Sequence, residues 1–421
     1  MFRFIHAADI HLDSPLRGLE RYEGAPVEQV RRATRQALEN LVQLAIDSEV
    51  AFLLIAGDLY DGDWKDYNTG LFFIAQMARL RELRIPVYVI AGNHDAANKM
   101  TKSLRLPENV HMLSAREPES AHIESCGVAI HGQSYATAAV THDLSAAYPR
   151  PVRGAFNIGL LHTCATGRDG HECYAPCTLH GLRALEYDYW ALGHVHEREL
   201  LCQDPPIVFA GNTQGRHIRE TGPKGCTLVT VQDTNRVSLQ SCELDVVRWE
   251  RCVVDASQAA DGHDVVRRFE EHVRFLLDRA QDRPLIVRVS VEGPCRAHET
   301  LAGNPQRWIN EIRARALDAG GGRVWIEKIK LCTSLPRGPD PAEWADGPIG
   351  ELVRYIEELQ TDETALAGLE AELADLTKKL PPELKDGLDA TDLTSPNALR
   401  EVLGQVRPLL MARLLAVGQA P

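Results

Sequence analysis

The chain has 421 residues, of which 44% are hydrophobic and 25% are charged, and its formal net charge is −13 at pH 7. This composition is typical of a soluble globular protein, and the length predicts two or three domains. The first residues lack the basic segment and long apolar stretch of a signal peptide, and no apolar run approaches the ~18 residues of a membrane span. The sequence therefore predicts neither a signal peptide nor a membrane-spanning helix, and the cytoplasm is the predicted location.

Strands and helices alternate over the first hundred residues. The apolar runs within 2–7, 51–58 and 85–95 predict buried strands that end in loops, and apolar residues at helical spacing predict helices over 26–48 and 70–83. This order predicts an α/β layer architecture whose first sheet is largely parallel.

A second sheet of more mixed direction is predicted further along the chain. Between about residues 109 and 161, short apolar runs are separated by turn residues. Further strand candidates follow at 188–196, 206–212, 225–231 and 236–244.

The character of the sequence changes after residue 248. Strands and helices then alternate in a compact βαβαβ unit, and a Pro-Arg-Gly-Pro segment after it is typical of a linker. Amphipathic helices are predicted over 347–380 and 395–417. Residues 340–421 hold 16 Asp/Glu against 7 Lys/Arg, so the negative charge is concentrated there. The predicted domains are 1–248, 249–335 (α/β capping domain) and 336–421 (linker and helices).

Ten cysteines are scattered along the chain rather than spaced as a disulfide framework. Free thiols in a reducing compartment are the better interpretation. One cluster leaves an alternative open, because His171, Cys173, Cys177 and His180 offer the ligand types of a structural zinc site. Their spacing is not that of a standard zinc finger or ribbon.

Polar side chains follow five of the predicted strands, at the point where each strand ends. Because ligands collect beyond the carboxyl ends of strands in layered α/β folds, we expect these side chains to converge on one crevice. The candidate ligands are Asp9 and His11 after the first strand, Asp58 after the second, Asn93 after the third, His162 at the end of FNIGLLH, and His194 and His196 after YWALG.

The chemistry of these side chains indicates metal ions. Carboxylate and amide oxygens mixed with imidazoles suit manganese, iron or zinc better than calcium, and the set is too large for one ion with an open position. Each motif alone has an ordinary explanation: Asp-x-His arises by chance, Gly-Asn-His-Asp is a common kind of turn, and Asp58 could cap a helix. Their combination, in order at strand ends, indicates two metals that share a carboxylate.

The same motifs resemble those of the calcineurin-like metallophosphoesterase superfamily, and within it the chain is similar to the SbcD/YhaO-type DNA repair nucleases. The resemblance covers roughly residues 1–245 and includes the segments HAADIHLDSPLRG, AGDLYD, YDYWALGHVH and AGNTQGRHIRE. It implies a four-layer αββα sandwich of two mixed sheets, followed by the small capping domain and the C-terminal helical segment.

The resemblance also implies a role for each side chain. His94 would protonate or stabilise the leaving oxygen, Asp95 would orient His94, and Asp61 is a further candidate beside the site. Two divalent ions, Mn²⁺ in preference to Fe²⁺, Zn²⁺ or Mg²⁺, would present a bridging hydroxide to the phosphorus of a phosphodiester. One ion would be held by Asp9, His11, Asp58 and His196, and the other by Asp58, Asn93, His162 and His194.

DNA is the substrate that the resemblance implies, and Arg17, Arg216 and Arg219 are the candidate contacts to its phosphates. The net charge neither excludes nor favours a nucleic acid. A phosphodiesterase or phosphatase acting on a small-molecule, lipid-linked or protein phosphoester is the alternative, because the same metal motifs serve all of these reactions.

The implied protein partner is an SMC-like coiled-coil ATPase of the SbcC type, and a homodimer is a second alternative. The apolar faces of the C-terminal helices would either bind such a partner or pack on the protein's own body. The polarity of digestion and the preference for ends or internal bonds stay open.

Overall fold

The computed structural model describes residues 1–14, 27–61, 67–97, 105–165, 174–233, 235–281, 283–336 and 347–379, with 397–400, 402–404, 406 and 410 near the C-terminus. The chain divides into two compact units. The first contains Met1–Arg251, Val273–Arg288 and Ala316–Lys328, and the second contains Cys252–His272, Val289–Arg315 and Ile329–Pro421. No helix among the described residues is long and apolar enough to cross a membrane.

The strands and helices are numbered in chain order. The strands are β1 (Phe2–Ala7), β2 (Phe52–Ala56), β3 (Val87–Ile90), β4 (Val110–Met112), β5 (Glu119–Ile123), β6 (Val128–Gly132), β7 (Phe156–His162), β8 (Tyr189–Gly193), β9 (Glu199–Gln203), β10 (Pro206–Phe209), β11 (Gly225–Val231), β12 (Val237–Glu243), β13 (Arg248–Asp255), β14 (Leu285–Pro294) and β15 (Val324–Ser334). The helices are α1 (Val27–Asp47), α2 (Tyr67–Glu82), α3 (Asn93–Ala97), α4 (Leu179–Ala184), α5 (Gly262–Ala280), α6 (His298–Gly303), α7 (Pro305–Gly320), α8 (Pro348–Thr361) and α9 (Glu363–Lys379).

The first sheet has the strand order β12-β11-β1-β2-β3-β4. Strands β1 to β4 are parallel, and β11 and β12 run antiparallel to their neighbours. One face of this sheet packs against α1 and α2, in a buried cluster that includes Ile5, Ile55, Leu38 and Phe73. The prediction of a largely parallel first sheet is confirmed.

The second sheet has the strand order β5-β6-β7-β8-β10-β9, with antiparallel strands only at its edges. Its inner face meets the first sheet in a buried cluster in which Phe4 stacks on Phe52 at 4.8 Å and meets Tyr189 edge-on at 5.3 Å between ring centroids. Its outer face packs against Leu182 of α4. The predicted sandwich of two mixed sheets between helices is therefore the fold of this region.

The third sheet is small and has the order β13-β14-β15. Its strands alternate along the chain with α5 and with α6 and α7, so the βαβαβ order is present with one short helix that the pattern did not predict.

The prediction of one continuous helix over 347–380 is wrong, because the structure has two helices there, α8 and α9. Asp362 has extended backbone and its carboxylate accepts a hydrogen bond from Thr364 N at 2.7 Å, which starts a new helix. Most of the helix predicted over 395–417 lies outside the described residues.

Candidate metal centre

The predicted ligands lie at the carboxyl ends of strands from both sheets of the sandwich. Strands β1, β2 and β3 of the first sheet and β7 and β8 of the second all end at this site. Three groups of side chains bring their ligand atoms within 4.8 Å of one another: Asp9, His11 and His196; His11, Asp58 and His94; and Asp58, His162 and His194.

The turns that follow these strands contain several residues in the left-handed backbone region. Asp9, His11, Asp58 and His194 have φ angles of 50°, 45°, 51° and 98°. This conformation is unfavourable for residues other than glycine, and such strain gathers at functional sites where the surrounding structure enforces it. Hydrogen bonds enforce it here, because Asp9 N donates to Gly57 O at 3.0 Å and His11 N donates to Asp58 O at 3.0 Å.

Two glycines allow the ligands to approach the backbone. A Cβ atom on Gly57, whose φ is +92°, would lie 2.3 Å from His162 Nδ1, and a Cβ atom on Gly92 would lie 2.2 Å from Asp58 Oδ1. A side chain at either position would therefore displace a candidate ligand.

Asp58 lies at the centre of the cluster. Its Oδ2 is 3.9 Å from His11 Nε2 and 3.5 Å from His162 Nε2, and its Oδ1 accepts a hydrogen bond from His94 N at 3.0 Å. Burial opposes the charge of this carboxylate, but His162 outweighs burial and holds the pKa of Asp58 well below its ordinary value. One oxygen of an ionised carboxylate thus faces two imidazoles, as a bridging ligand requires.

The remaining ligands meet in two places on either side of Asp58. His11 Nε2 and His196 Nε2 lie 3.2 Å apart, and Asp9 Oδ1 is 3.8 Å from His196 Nε2. On the other side, His162 Nε2 lies 3.0 Å from Asn93 Oδ1. The other nitrogen of this ring, Nδ1, lies 2.8 Å from the carbonyl oxygen of Ala56, an arrangement that orients metal-binding histidines.

This donor set fits a pair of divalent cations. His11 Nδ1 is buried without a hydrogen-bond partner, and Asp61 Oδ1 lies 3.5 Å from it. Burial lowers the pKa of His11 to about 3, which keeps its ring neutral with one ring nitrogen free to bind a cation, and burial raises the pKa of Asp9 to about 6. Buried carboxylates and neutral imidazoles that face one another are costly unless a cation joins them.

His94 lies at the rim of the cluster, with its side chain 38% exposed and its Nδ1 3.2 Å from Asp61 Oδ1. The hydrogen bond to Asp61 raises the pKa of His94 above its ordinary value. Because Asp61 is the carboxylate beside His94, the predicted pairing of Asp95 with His94 named the wrong partner.

Asp95 holds two loops together. Its buried carboxylate accepts hydrogen bonds from Leu59 N at 3.1 Å, Tyr60 N at 2.9 Å and Gly92 N at 3.1 Å. These amides belong to the loops after β2 and β3, which carry Asp58 and Asn93. Asp95 therefore acts on the ligands through the backbone.

We expect Asp95→Ala to lower the free energy of unfolding by at least roughly 3 kcal/mol, because three N–H groups lose their acceptor and each buried N–H without one costs about 1–3 kcal/mol. Denaturant unfolding of the metal-free protein measures this, with Asp47→Ala, which removes an exposed carboxylate at the end of α1, as the control of nearly unchanged stability. A stable but inactive Asp95→Ala variant would instead give Asp95 a direct catalytic role.

Residues 2–198 match the calcineurin-like phosphoesterase family, and residues 249–334 match the middle domain of the metallophosphoesterase YhaO. The uncharacterized metallophosphoesterase YhaO of Bacillus subtilis is 36% identical over 313 residues, which cover 73% of this chain and 76% of the relative. The chain belongs to the calcineurin-like metallophosphoesterase superfamily. Members of this superfamily use a dinuclear metal centre, so the clustered ligands are candidates for such a centre here.

Two solved structures are distant likenesses. The protein TT1561 of Thermus thermophilus has 12% identity and a TM-score of 0.34, covering 58% of this chain and 99% of that one. A dimetal phosphatase from Danio rerio has 12% identity and a TM-score of 0.37, covering 57% of this chain and 95% of that one. Membership of the metallophosphoesterase superfamily rests on the sequence relative rather than on these structures.

The predicted phosphate contacts of this metallophosphoesterase have different surroundings. Arg216 is largely enclosed, with Nη2 2.9 Å from Glu220 Oε1 and Nη1 3.6 Å from Asp61 Oδ1. Arg219 is exposed on the same loop. Arg17 lies outside the described residues. Arg216 therefore pairs with carboxylates beside the metal centre.

Two of the four residues considered as a structural zinc site, Cys177 and His180, lie within the described part of the chain. Cys177 is buried with Sγ 3.3 Å from Thr163 Oγ1, burial raises its pKa to about 11, and His180 is exposed on α4. Neither residue belongs to a metal-ligand group within the described part of the chain. His171 and Cys173 lie outside that part.

Glu220 is a residue of the site that the sequence patterns did not indicate. Its Oε1 lies 2.7 Å from His196 Nδ1 although it follows no predicted strand end. It lies 24 positions after His196, in the loop between β10 and β11. No local spacing marks such a residue, because a long loop brings it back to the site.

Proposed function

We propose that the protein is a manganese-dependent, two-metal DNA nuclease that hydrolyses phosphodiester bonds. The observation that carries the hydrolase assignment is the position of Asp58 Oδ2, 3.9 Å from His11 Nε2 and 3.5 Å from His162 Nε2, beside the His94–Asp61 pair. Divalent ions bound there would supply Lewis acidity and a water activated at neutral pH. One ion would be held by Asp9, His11, Asp58 and His196, and the other by Asp58, Asn93, His162 and His194.

His94 acts on the leaving group in this proposal. Asp61 Oδ1 holds Nδ1 of the imidazole at 3.2 Å and favours the protonated ring, which can give a proton to the departing oxygen. The ring of His94 is 38% exposed, so a polymer can reach it while the candidate ligands Asp9, Asp58 and His162 stay buried.

DNA as the substrate is supported by the resemblance to the SbcD/YhaO-type nucleases and by one feature of the loop 212–220. Arg219 is exposed on the loop whose Glu220 contacts His196. A guanidinium at that place suits the phosphate of a neighbouring nucleotide, since Arg and Lys supply most sequence-independent contacts to DNA. Such a substrate also favours a cytoplasmic location.

We also propose that an SMC-like coiled-coil ATPase binds α8 and α9, with a homodimer as the alternative assembly. The two helices share a small apolar cluster with Leu399 and Leu403, in which Leu359 and Leu366 are buried. Deleting residues 345–421 should abolish association with a co-expressed ATPase of this kind. Unchanged association of the shortened chain would remove these helices from the interface.

Cleavage assays with defined substrates test the proposed function. The purified protein with Mn²⁺ is incubated with end-labelled single- and double-stranded oligonucleotides and, in parallel, with a chromogenic phosphodiester and a chromogenic phosphomonoester. We expect DNA cleavage that the His94→Ala variant loses. Hydrolysis of the chromogenic esters without DNA cleavage would contradict the nuclease and favour a small-molecule phosphoesterase.

A further inference from the structure

The carboxylate of Glu220 is enclosed beside the metal centre. Its side chain is 4% exposed. Oε1 lies 2.7 Å from His196 Nδ1 and 2.9 Å from Arg216 Nη2, and Oε2 accepts hydrogen bonds from Asn212 Nδ2 at 2.9 Å and Arg216 N at 2.8 Å. Oε1 and the Arg216 guanidinium form an ion pair, which offsets the cost of burying the carboxylate. It is therefore a buried anion with its acceptor positions occupied.

Two neighbours compete for His196 Nδ1, and they imply opposite tautomers. Arg216 Nη2 lies 3.2 Å from Nδ1 and could donate to it, whereas Glu220 Oε1 lies 2.7 Å away and can only accept. A lone pair of Nδ1 facing an anionic oxygen at the shorter distance would be repulsive, and Arg216 Nη2 already has Glu220 as its acceptor at 2.9 Å. The proton therefore lies on Nδ1.

This tautomer leaves the Nε2 lone pair on the metal side of the ring. His196 Nε2 is 3.2 Å from His11 Nε2 and 3.8 Å from Asp9 Oδ1, the two neighbours in its candidate ligand group. Metal-binding histidines commonly donate their other ring N–H to a carboxylate, which fixes the ring and makes it a better ligand.

The loop that carries Glu220 is itself fixed. Trp249, buried at the start of β13, donates from Nε1 to Gly215 O at 3.0 Å, and Gln214 Nε2 donates to Val247 O at 2.6 Å. Asn212 Nδ2 also donates to Gln214 O at 2.8 Å. These hydrogen bonds hold the loop, and with it the carboxylate, in place.

We propose that Glu220 is a positioning residue for His196: it fixes the imidazole with Nδ1 protonated and Nε2 directed at the metal centre, while Arg216 holds the carboxylate in place. This inference rests on the proposed function only in requiring that His196 binds a metal ion. Glu220 itself contacts neither metal nor substrate.

Metal titration of the Glu220→Gln variant tests the inference. Apo-protein is prepared with a chelator and titrated with Mn²⁺ alone in a calorimeter. One of the two binding events should weaken by about 10–100-fold, the usual effect of removing a carboxylate behind a metal-bound histidine, and the other should stay close to wild type. Wild-type affinities for both events in Glu220→Gln would overturn the inference.

Two further variants complete the experiment. Glu197→Gln removes an exposed carboxylate next to His196 in sequence and should titrate as wild type; weakening equal to that of Glu220→Gln would overturn a specific role for Glu220. If Glu220→Gln does not fold, the same titration is made with Glu220→Asp. This variant keeps the negative charge, but its side chain is one methylene shorter and should no longer contact His196 Nδ1. A folded Glu220→Asp variant with wild-type affinities would overturn the inference.

The outcome is separable from the nuclease proposal. A wild-type protein that binds two Mn²⁺ ions but cleaves no DNA contradicts the proposed substrate and leaves the Glu220 comparison intact. A wild-type protein that binds no Mn²⁺ overturns both.

Discussion

Asp58→Asn is expected to abolish hydrolysis and to reduce the bound metal from two ions per chain to at most one. Asp58 Oδ2 lies 3.9 Å from His11 Nε2 and 3.5 Å from His162 Nε2, so the same oxygen serves both halves of the ligand set. An amide is a neutral and weaker ligand than a carboxylate. The metal ions would stabilise the transition state by several kcal/mol, so their loss should lower turnover by about 10³-fold or more.

In the wild-type protein His94 N donates to Asp58 Oδ1 at 3.0 Å. Asparagine has nearly the same shape and keeps an oxygen that can accept this hydrogen bond, so the variant should fold. Bound metal is measured by mass spectrometry of the purified protein, and turnover with a chromogenic phosphodiester. Asp47→Asn, the same change at the end of α1, is the control and should leave both unchanged. Two bound ions in Asp58→Asn would contradict the bridging role.

His94→Ala is expected to keep both metal ions and to lose about 10²–10⁴-fold in turnover, the usual contribution of a positioned acid or base. The ring is 38% exposed and pairs with Asp61, whereas the candidate ligands Asp9, His11, Asp58, His162 and His194 are buried. Its removal should therefore affect the chemistry more than the binding of metal.

The identity of the leaving group sharpens this test. A substrate with a good leaving group needs little help from an acid, so His94→Ala should lose much less activity on a nitrophenyl diester than on DNA. The exposed His180 on α4 provides the control, and His180→Ala should behave as wild type. An equal loss of activity on both substrates would argue against proton donation, and loss of a metal ion would make His94 a ligand.

The sequence predicted the parts of the site that depend on strand ends. Apolar runs locate buried strands, and a polar residue directly after each run lies at the same edge of the sandwich whatever the loop does next. For this reason Asp9, Asp58 and His162 could be assigned to one site before any contact was known.

The residues that were misplaced depend on loop conformation. Asp61 and Asp95 are both close in sequence to a ligand, and the sequence favoured Asp95 because it follows His94 directly. In the structure the left-handed turn at Asp58 brings Asp61 to 3.2 Å from His94 Nδ1, while Asp95 lies in α3 and faces the amides of the loop after β2. A linear pattern contains no information about such a turn.

Ion pairs between residues of different loops also could not be predicted from the sequence. Arg216 was expected to contact phosphate, but its guanidinium lies between Glu220 and Asp61, and only the fold shows that these carboxylates are near. The break between α8 and α9 has a local cause. Asp362 caps the start of α9, but the apolar residues keep their helical spacing through this position, so the pattern predicted one continuous helix.

The most direct test of the two-metal centre is metal content measured together with cleavage through a cycle of chelation and reconstitution. We predict two divalent ions per chain in the active protein, loss of DNA and phosphodiester cleavage when a chelator removes them, and recovery of both when Mn²⁺ is returned. Cleavage that persists in the metal-free protein, or full activity with a single bound ion, would contradict a site built around a shared Asp58.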